Sequence, residues 1–153
     1  MAETASGPGV RVPPPVIAVA TVAAGWLLDR VWTVPIGPPA PALGGMVVFL
    51  AIALCGWALL VLVRAGNDPR PDRPDTALVE AGPFRFGRNP IYLGMLLVAT
   101  GLALARGTLF GWVAVAVLHA LLDRLVIARE EAYLATRFGA AYEAYRARVR
   151  RWM

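Results

Sequence analysis

Between residues 43 and 63 the chain carries no charged side chain. An apolar run of about 20 residues is the length a helix needs to cross a bilayer core. Such a segment has few options. In lipid its backbone N–H and C=O groups must bond one another, which selects a helix. Three further apolar stretches accompany it, at 16–32, 90–105 and 109–122. The first contains the pair Asp29-Arg30. The third opens on Pro90, a residue suited to the first helical turn because its missing N–H has no partner there. Arg106-Gly107-Thr108 reads as a tight turn joining the third and fourth stretches into a helical hairpin. Asp123 and Arg124 are expected to close the fourth. An arginine-rich amphipathic stretch continues to Val149, with Gly139 as its expected bend. The expected class is all-α: an integral membrane protein with about four transmembrane helices and a C-terminal amphipathic helix.

Composition agrees. The chain has 153 residues, 58% hydrophobic and 16% charged, with mean hydropathy +0.60. Soluble domains are about 45–50% apolar and about 25% charged. Residues 1–15 are small, polar and proline-rich and are expected to form a mobile tail. Residues 16–153 are expected to form a single domain. The net charge of +5 comes entirely from arginine. A basic chain suggests nucleic acid, but these arginines flank apolar spans, a pattern that fits membrane topology, so no nucleic-acid partner is expected. Arginine is concentrated after the second and fourth spans. The positive-inside rule then places both termini and the long connection in the cytoplasm. The single cysteine, Cys55, rules out an internal disulfide and reads as a small buried hydrophobe. The single histidine, His119, reads as a packed, hydrogen-bonded core residue. No metal is called for.

Two polar segments fall on that same side, 75–94 and 124–149. The connection 65–89 is long for a compact domain, and loops of that length are often functional. Its second half carries Leu78, Val79, Phe84 and Phe86 among turn residues, as if it packed over something. In the other segment, Glu130, Leu134, Phe138, Ala141, Tyr142 and Tyr145 recur at helical spacing and share one face. A carboxylate on such a face is costly without a partner. A cation should meet Glu130, and Arg88-Asn89-Pro90-Ile91-Tyr92 stands at the mouth of another span.

The ordered set Thr76-Ala77-Leu78-Val79, Gly82-Pro83-Phe84, Arg88-Asn89-Pro90-Ile91-Tyr92-Leu93-Gly94, Glu130-Glu131, Leu134, Phe138-Gly139, Tyr142, Tyr145 and Val149 resembles the isoprenylcysteine carboxyl methyltransferase family and the related phospholipid methyltransferases. The resemblance covers roughly the second half of the chain. It implies an S-adenosyl-L-methionine site held by Thr76, Ala77, Leu78 and Val79, by Phe84, by Asn89, Pro90, Ile91 and Tyr92, and by Glu130. The chemistry of the residues agrees. A buried carboxylate at Glu130 can take the cofactor's ammonium in a charge-assisted bond. Phe84, Tyr92 and Tyr145 can turn aromatic faces toward the cation. The implied activity is methyl transfer to a lipophilic acceptor, a small molecule or a lipid-modified one, among membrane lipids. Where the acceptor needs a general base, Tyr92 and Glu131 are the candidate catalytic residues. Many family members have histidine at the position of Asn89, and some carry a substrate-associated arginine where this chain has Val126. The acceptor is therefore left open.

Other readings stand beside this one. Taken singly, Glu130-Glu131 reads equally as an interfacial charge pair balanced by Arg124 or Arg129. Asn89 reads as a helix cap, Tyr142 and Tyr145 as interfacial anchors, and the arginines of 146–151 as contacts to anionic lipid head groups. Two alternative functions follow: an NADPH-dependent membrane reductase resembling sterol reductases, and a non-enzymatic membrane protein that binds a small molecule.

Overall fold

A computed structural model describes residues 8–10, 12–68 and 73–153. The remainder of the expected tail, 1–7 and 11, and residues 69–72 of the connection lie outside the described residues. The chain forms α1 (Pro14–Val31), α2 (Pro41–Arg64), α3 (Pro90–Arg106), α4 (Leu109–Leu121), α5 (Ala128–Phe138) and α6 (Ala140–Arg148). No strand occurs among the described residues. α1, α2 and the continuous run Leu109–Phe138 are long and apolar enough to span a membrane; α3, with 17 residues, is shorter. The protein is therefore an all-helical membrane protein. Pro14 begins α1, two residues into the expected tail, and α1 continues through Asp29-Arg30 because Asp29 is buried against polar partners from the α3–α4 turn.

Small residues set the packing. α2 and α3 run antiparallel and form the most extensive helix pair. A Cβ on Gly44 would lie 2.3 Å from the Gly101 carbonyl oxygen, and one on Gly94 would lie 2.2 Å from Cys55 Sγ. Without side chains at these points the two backbones approach closely, and dispersion between them replaces the hydrophobic drive that lipid does not provide. Cys55 is half-buried and its thiol donates to the Ile91 carbonyl. α1 packs on α4 in the same way, with Gly25 against the Phe110 backbone. Ile17, Leu96, Ala99, Leu118, Leu122 and Val126 form the core where α1, α3 and α4 meet. Gly107 turns from α3 to α4 in the left-handed region, φ 64°, where glycine avoids the Cβ clash.

Two elements differ from expectation. Asp123 and Arg124 do not end the fourth helix. Residues Leu122–Ile127 form a π turn that passes without a break into α5. At about 1.5 Å per residue, the run of 30 residues from Leu109 to Phe138 exceeds a bilayer core of about 30 Å, so its α5 end projects beyond the apolar layer. π turns change side-chain register and recur at functional sites. Second, Glu130 to Tyr145 is not one helix. Gly139, at φ 51° and ψ −126°, separates α5 from α6, the bend its position suggested. His119 is exposed, with its ring 5.2 Å from that of Trp152, rather than packed in the core.

The neighbouring glycines of α2 give a direct test. Gly44 is enclosed by α3, whereas nothing lies within 4 Å of a Cβ on Gly45. Gly44→Val is expected to lower stability by about 1–3 kcal/mol, the usual range for overpacking. Gly45→Val should leave the unfolding midpoint in detergent nearly unchanged.

Candidate active site

At the end of the bundle where α2 stops and α3 starts, the residues around the start of α1, the last turns of α2, the connection, the first turns of α3, α5 and α6 line a cavity of about 420 Å³. Ligand pockets commonly fall at about 300–1,000 Å³. Ala77, Leu78, Val79, Phe84, Asn89, Pro90, Ile91, Tyr92, Glu130 and Glu131 all line it, joined by Leu134, Tyr142 and Tyr145. Residues from two distant stretches of sequence therefore converge on one space. Thr76 does not line it. Its hydroxyl and N–H instead bond Asn67 Oδ1, at 2.7 and 2.9 Å. Phe86 is exposed, so of the two phenylalanines only Phe84 packs inward.

Asn67 is the organiser of this wall. Its Oδ1 accepts from the Thr76 N–H, the Thr76 hydroxyl and the Ala77 N–H (3.0 Å), while its Nδ2 donates to the Ala77 carbonyl at 2.8 Å. The side chain is 5% exposed and lines the cavity. It holds the 75–79 strip in place of a secondary-structure partner. Nothing in the sequence set Asn67 apart from an ordinary turn residue after Gly66. The next residue in the strip, Asp75, is also tied down: its N–H donates to the Tyr133 hydroxyl (3.0 Å) and its carbonyl accepts from Arg137 Nε (2.5 Å). Burial raises the Asp75 carboxyl above the usual range, partly opposed by Arg137.

The two glutamates are partnered in opposite ways. Glu131 accepts from Arg88 Nη2 at 2.7 Å and from Arg151 Nη2 at 2.5 Å. Arg151 also reaches Asp123 at 2.9 Å. The bond to Glu131 raises Arg151 above its ordinary range, against a smaller opposing effect of burial. Glu130 receives no cation among the described residues. Its partner is the Tyr92 hydroxyl, which donates to Oε1. The cation expected at Glu130 thus goes to its neighbour. α5 sets this division: adjacent positions point about 100° apart on a helix, so Glu130 faces the α3 start and Glu131 the C-terminal segment.

Arg88 ties that segment down. Its Nη1 donates to the carbonyls of Arg146 (3.1 Å) and Val149 (2.8 Å), and its backbone N–H to that of Arg150 (2.9 Å). Asn89 stands at the N-cap of α3 but does not cap it; its amide donates to the Arg151 carbonyl at 3.1 Å. The C-terminal arginines are therefore not all turned to lipid: Arg151, 38% exposed, bridges Glu131 and Asp123, and Arg148 pairs with Glu80. Behind the cavity the Tyr145 hydroxyl donates to the Phe84 carbonyl at 2.6 Å and its ring meets Tyr142 edge-on. Burial raises both phenols, so they remain donors at physiological pH. One cavity-lining donor is left over: the buried Arg88 Nε has no hydrogen-bond partner among the described residues.

An all-helical membrane protein with this cavity at one end of the bundle fits the membrane methyltransferase class. The phospholipid methyltransferase family profile matches residues 40–141, and the chain belongs to that family. The match runs from the start of α2 into α6 and so takes in both walls of the cavity. The chain is also similar to an uncharacterised protein of Haemophilus influenzae, 36% identical over 63 residues, which is 41% of this chain and 100% of that protein. No solved structure matches.

Two measurements test the framework. Arg88→Gln leaves Glu131 short of a charge partner at a site only 10% and 13% exposed on its two sides. It should cost about 3 kcal/mol, the lower end for breaking a buried pair. Arg148→Gln, at a pair exposed by 63% and 36%, should cost about 0–1 kcal/mol. Thermal unfolding in detergent separates the two. Asn67→Ala should raise hydrogen exchange at the Thr76 and Ala77 amides by roughly tenfold or more, since the loss of a buried acceptor costs about 1–3 kcal/mol.

Proposed function

We propose that the protein is an S-adenosyl-L-methionine-dependent methyltransferase acting on a lipophilic acceptor at the cytoplasmic face of the membrane. One observation carries the reading: the Glu130 carboxylate lines an aromatic cavity and is met by a hydroxyl rather than a cation. A carboxylate placed this way calls for a cationic ligand.

The residues present suit an amino-acid-bearing sulfonium. Glu130 would take the α-ammonium through its second oxygen, and the unpartnered Arg88 Nε would donate to the α-carboxylate. Phe84, Tyr92 and Tyr145 line the same space and would offer ring faces to positive charge. The strip from Ala77 to Val79 would supply backbone groups to the nucleoside. Thr76 contributes to this site through Asn67, by holding the strip in shape. When bound, the cofactor supplies an electrophilic methyl group for in-line displacement by the acceptor.

The chain's own part is positioning and exclusion of water. The C-terminal segment backs the Arg88, Asn89 and Glu131 side of the cavity and holds those side chains in place. On the other side Pro15 and Met95 line both this cavity and an apolar groove between α1 and α3, which gives a lipophilic acceptor an approach from the bilayer. An acceptor that is already anionic needs no base. For an amine or alcohol, Tyr92 is the better-placed group. It can pass its hydroxyl proton to Glu130 while taking one from the acceptor. Glu131, with both oxygens bonded to arginines, serves better as the positioning residue for Arg88.

Calorimetry with S-adenosyl-L-methionine on detergent-purified protein tests the reading. Glu130→Gln should weaken binding by roughly 10- to 100-fold, matching about 1.5–3 kcal/mol for a charge-assisted bond. Tyr92→Phe should weaken it less and slow transfer. Absence of binding by folded wild-type protein, or NADPH binding in its place, would refute the proposal.

A further inference from the structure

Glu130 does not face the cavity alone. Asp75 lines it too, from the loop wall. The backbone of Asp75 is fixed to α5. Its N–H donates to the Tyr133 hydroxyl at 3.0 Å, and its carbonyl accepts from Arg137 Nε at 2.5 Å. Tyr133 and Arg137 stand three and seven residues after Glu130, a spacing that shares one helix face. The strip therefore docks on the face of α5 that carries Glu130. Asp75 is close enough for its charge to act on both Glu130 and Tyr92.

These bonds occupy only the backbone of Asp75. Its carboxylate makes no hydrogen bond or ion pair among the described residues. The Arg137 charge acts on it, but Arg137 does not line the cavity and its Nε is spent on the carbonyl. Of the arginines that do line the cavity, Arg88 is bonded to Glu131 and Arg73 is exposed. Asp75 thus presents a half-buried negative charge to the cavity. On a partly dehydrated wall such a charge attracts a cation through space, whether or not the cation has a hydrogen to donate.

We infer that Asp75 is the counter-charge for the sulfonium of the methyl donor, and the residue by which the cavity tells the donor from its demethylated product. The inference rests on the reading of this cavity as an S-adenosyl-L-methionine site. Sulfur joins the amino-acid half of that molecule to its nucleoside half. With the ammonium at Glu130 and the nucleoside on Ala77 to Val79, sulfur falls between α5 and the strip, where Asp75 stands. A sulfonium has no hydrogen on its charged atom, so a carboxylate meets it by charge and not by a hydrogen bond. Methyl transfer breaks the S–CH₃ bond. The bonding pair stays on sulfur, the methyl group passes to the acceptor, and a neutral thioether is left. Asp75 then has no counter-charge, whereas Glu130 keeps the ammonium that donor and product share. The difference favours exchange of spent product for fresh donor.

The test is calorimetry on the full chain in detergent with S-adenosyl-L-methionine and, separately, S-adenosyl-L-homocysteine. The quantity read is the ratio of the two affinities. Asp75→Asn removes the charge at constant shape, and it should move the ratio toward the product by roughly tenfold, a loss between those of a charge pair about 4 Å apart in water and near a protein surface. The change should come from the donor alone. Asp75→Ser should do the same, so that if one of these variants does not fold the other decides. Asp75→Glu should keep the wild-type direction of preference. Glu130→Gln should weaken both ligands alike and leave the ratio in place. An Asp75→Asn loss shared equally by donor and product would overturn the inference and assign the carboxylate to a part both carry, such as the ribose hydroxyls. Unchanged affinities for both would overturn it as well. Folded wild-type protein that binds neither ligand refutes the methyl-donor reading itself, so the wild-type titration separates the two failures.

Discussion

The guanidinium of Arg88 is bonded at once to the Glu131 carboxylate and to the carbonyls of Arg146 and Val149. It stands two residues before α3 and so joins the start of that helix to α5 and to the end of the chain. Arg151 closes the arrangement by bridging Glu131 to Asp123. Ion pairs in a partly dehydrated setting add little net stability over apolar packing, but they fail badly when one partner is missing. They therefore specify one arrangement of the C-terminal segment. Because both arginines are committed to Glu131, the adjacent Glu130 is met by the Tyr92 hydroxyl and by no cation among the described residues.

The membrane part of the molecule supports this end of the bundle. Close α2–α3 contact through glycine places the first turn of α3, with Asn89 and Tyr92, beside the last turns of α2. α3 is held on its other side by α1 and α4, so Tyr92 projects from a helix packed on several faces. The loop wall has no such scaffold. It relies on one amide, Asn67, and on contacts from Tyr133 and Arg137 of α5. The cavity therefore has one side built by helix packing and one held by side-chain hydrogen bonds to a strip without regular secondary structure.

Much of this could be read along the chain. The apolar runs marked the helices, Gly139 marked the bend, and of the motif residues Ala77, Leu78, Val79, Phe84, Arg88 to Tyr92, Glu130, Glu131, Leu134, Tyr142 and Tyr145 line one cavity, whereas Thr76, Gly82, Pro83 and Phe138 do not. The single-face argument for Glu130 through Tyr145 reached the right grouping by a route the fold does not take. Two helices meeting at Gly139 bring together Glu130, Leu134, Tyr142 and Tyr145, while Ala141 stays exposed. Asp123 and Arg124 looked like a helix end because charge is costly in lipid; instead Asp123 is partnered by Arg151 and the π turn carries the helix onward.

Local sequence decided which segments are helical and where they turn, because hydropathy, proline and glycine act within a few residues of where they stand. It also decided which side chains could serve a cationic ligand, since that is a matter of residue chemistry. Partner choice was decided only in three dimensions. Arg88 pairs with Glu131 rather than Glu130, Arg151 bridges Glu131 and Asp123, Asn67 shapes a strip nine residues away, and one Asp29 oxygen has no partner among the described residues. Each depends on the direction in which a helix presents a side chain to a distant segment, and charge and spacing along the chain do not contain that direction.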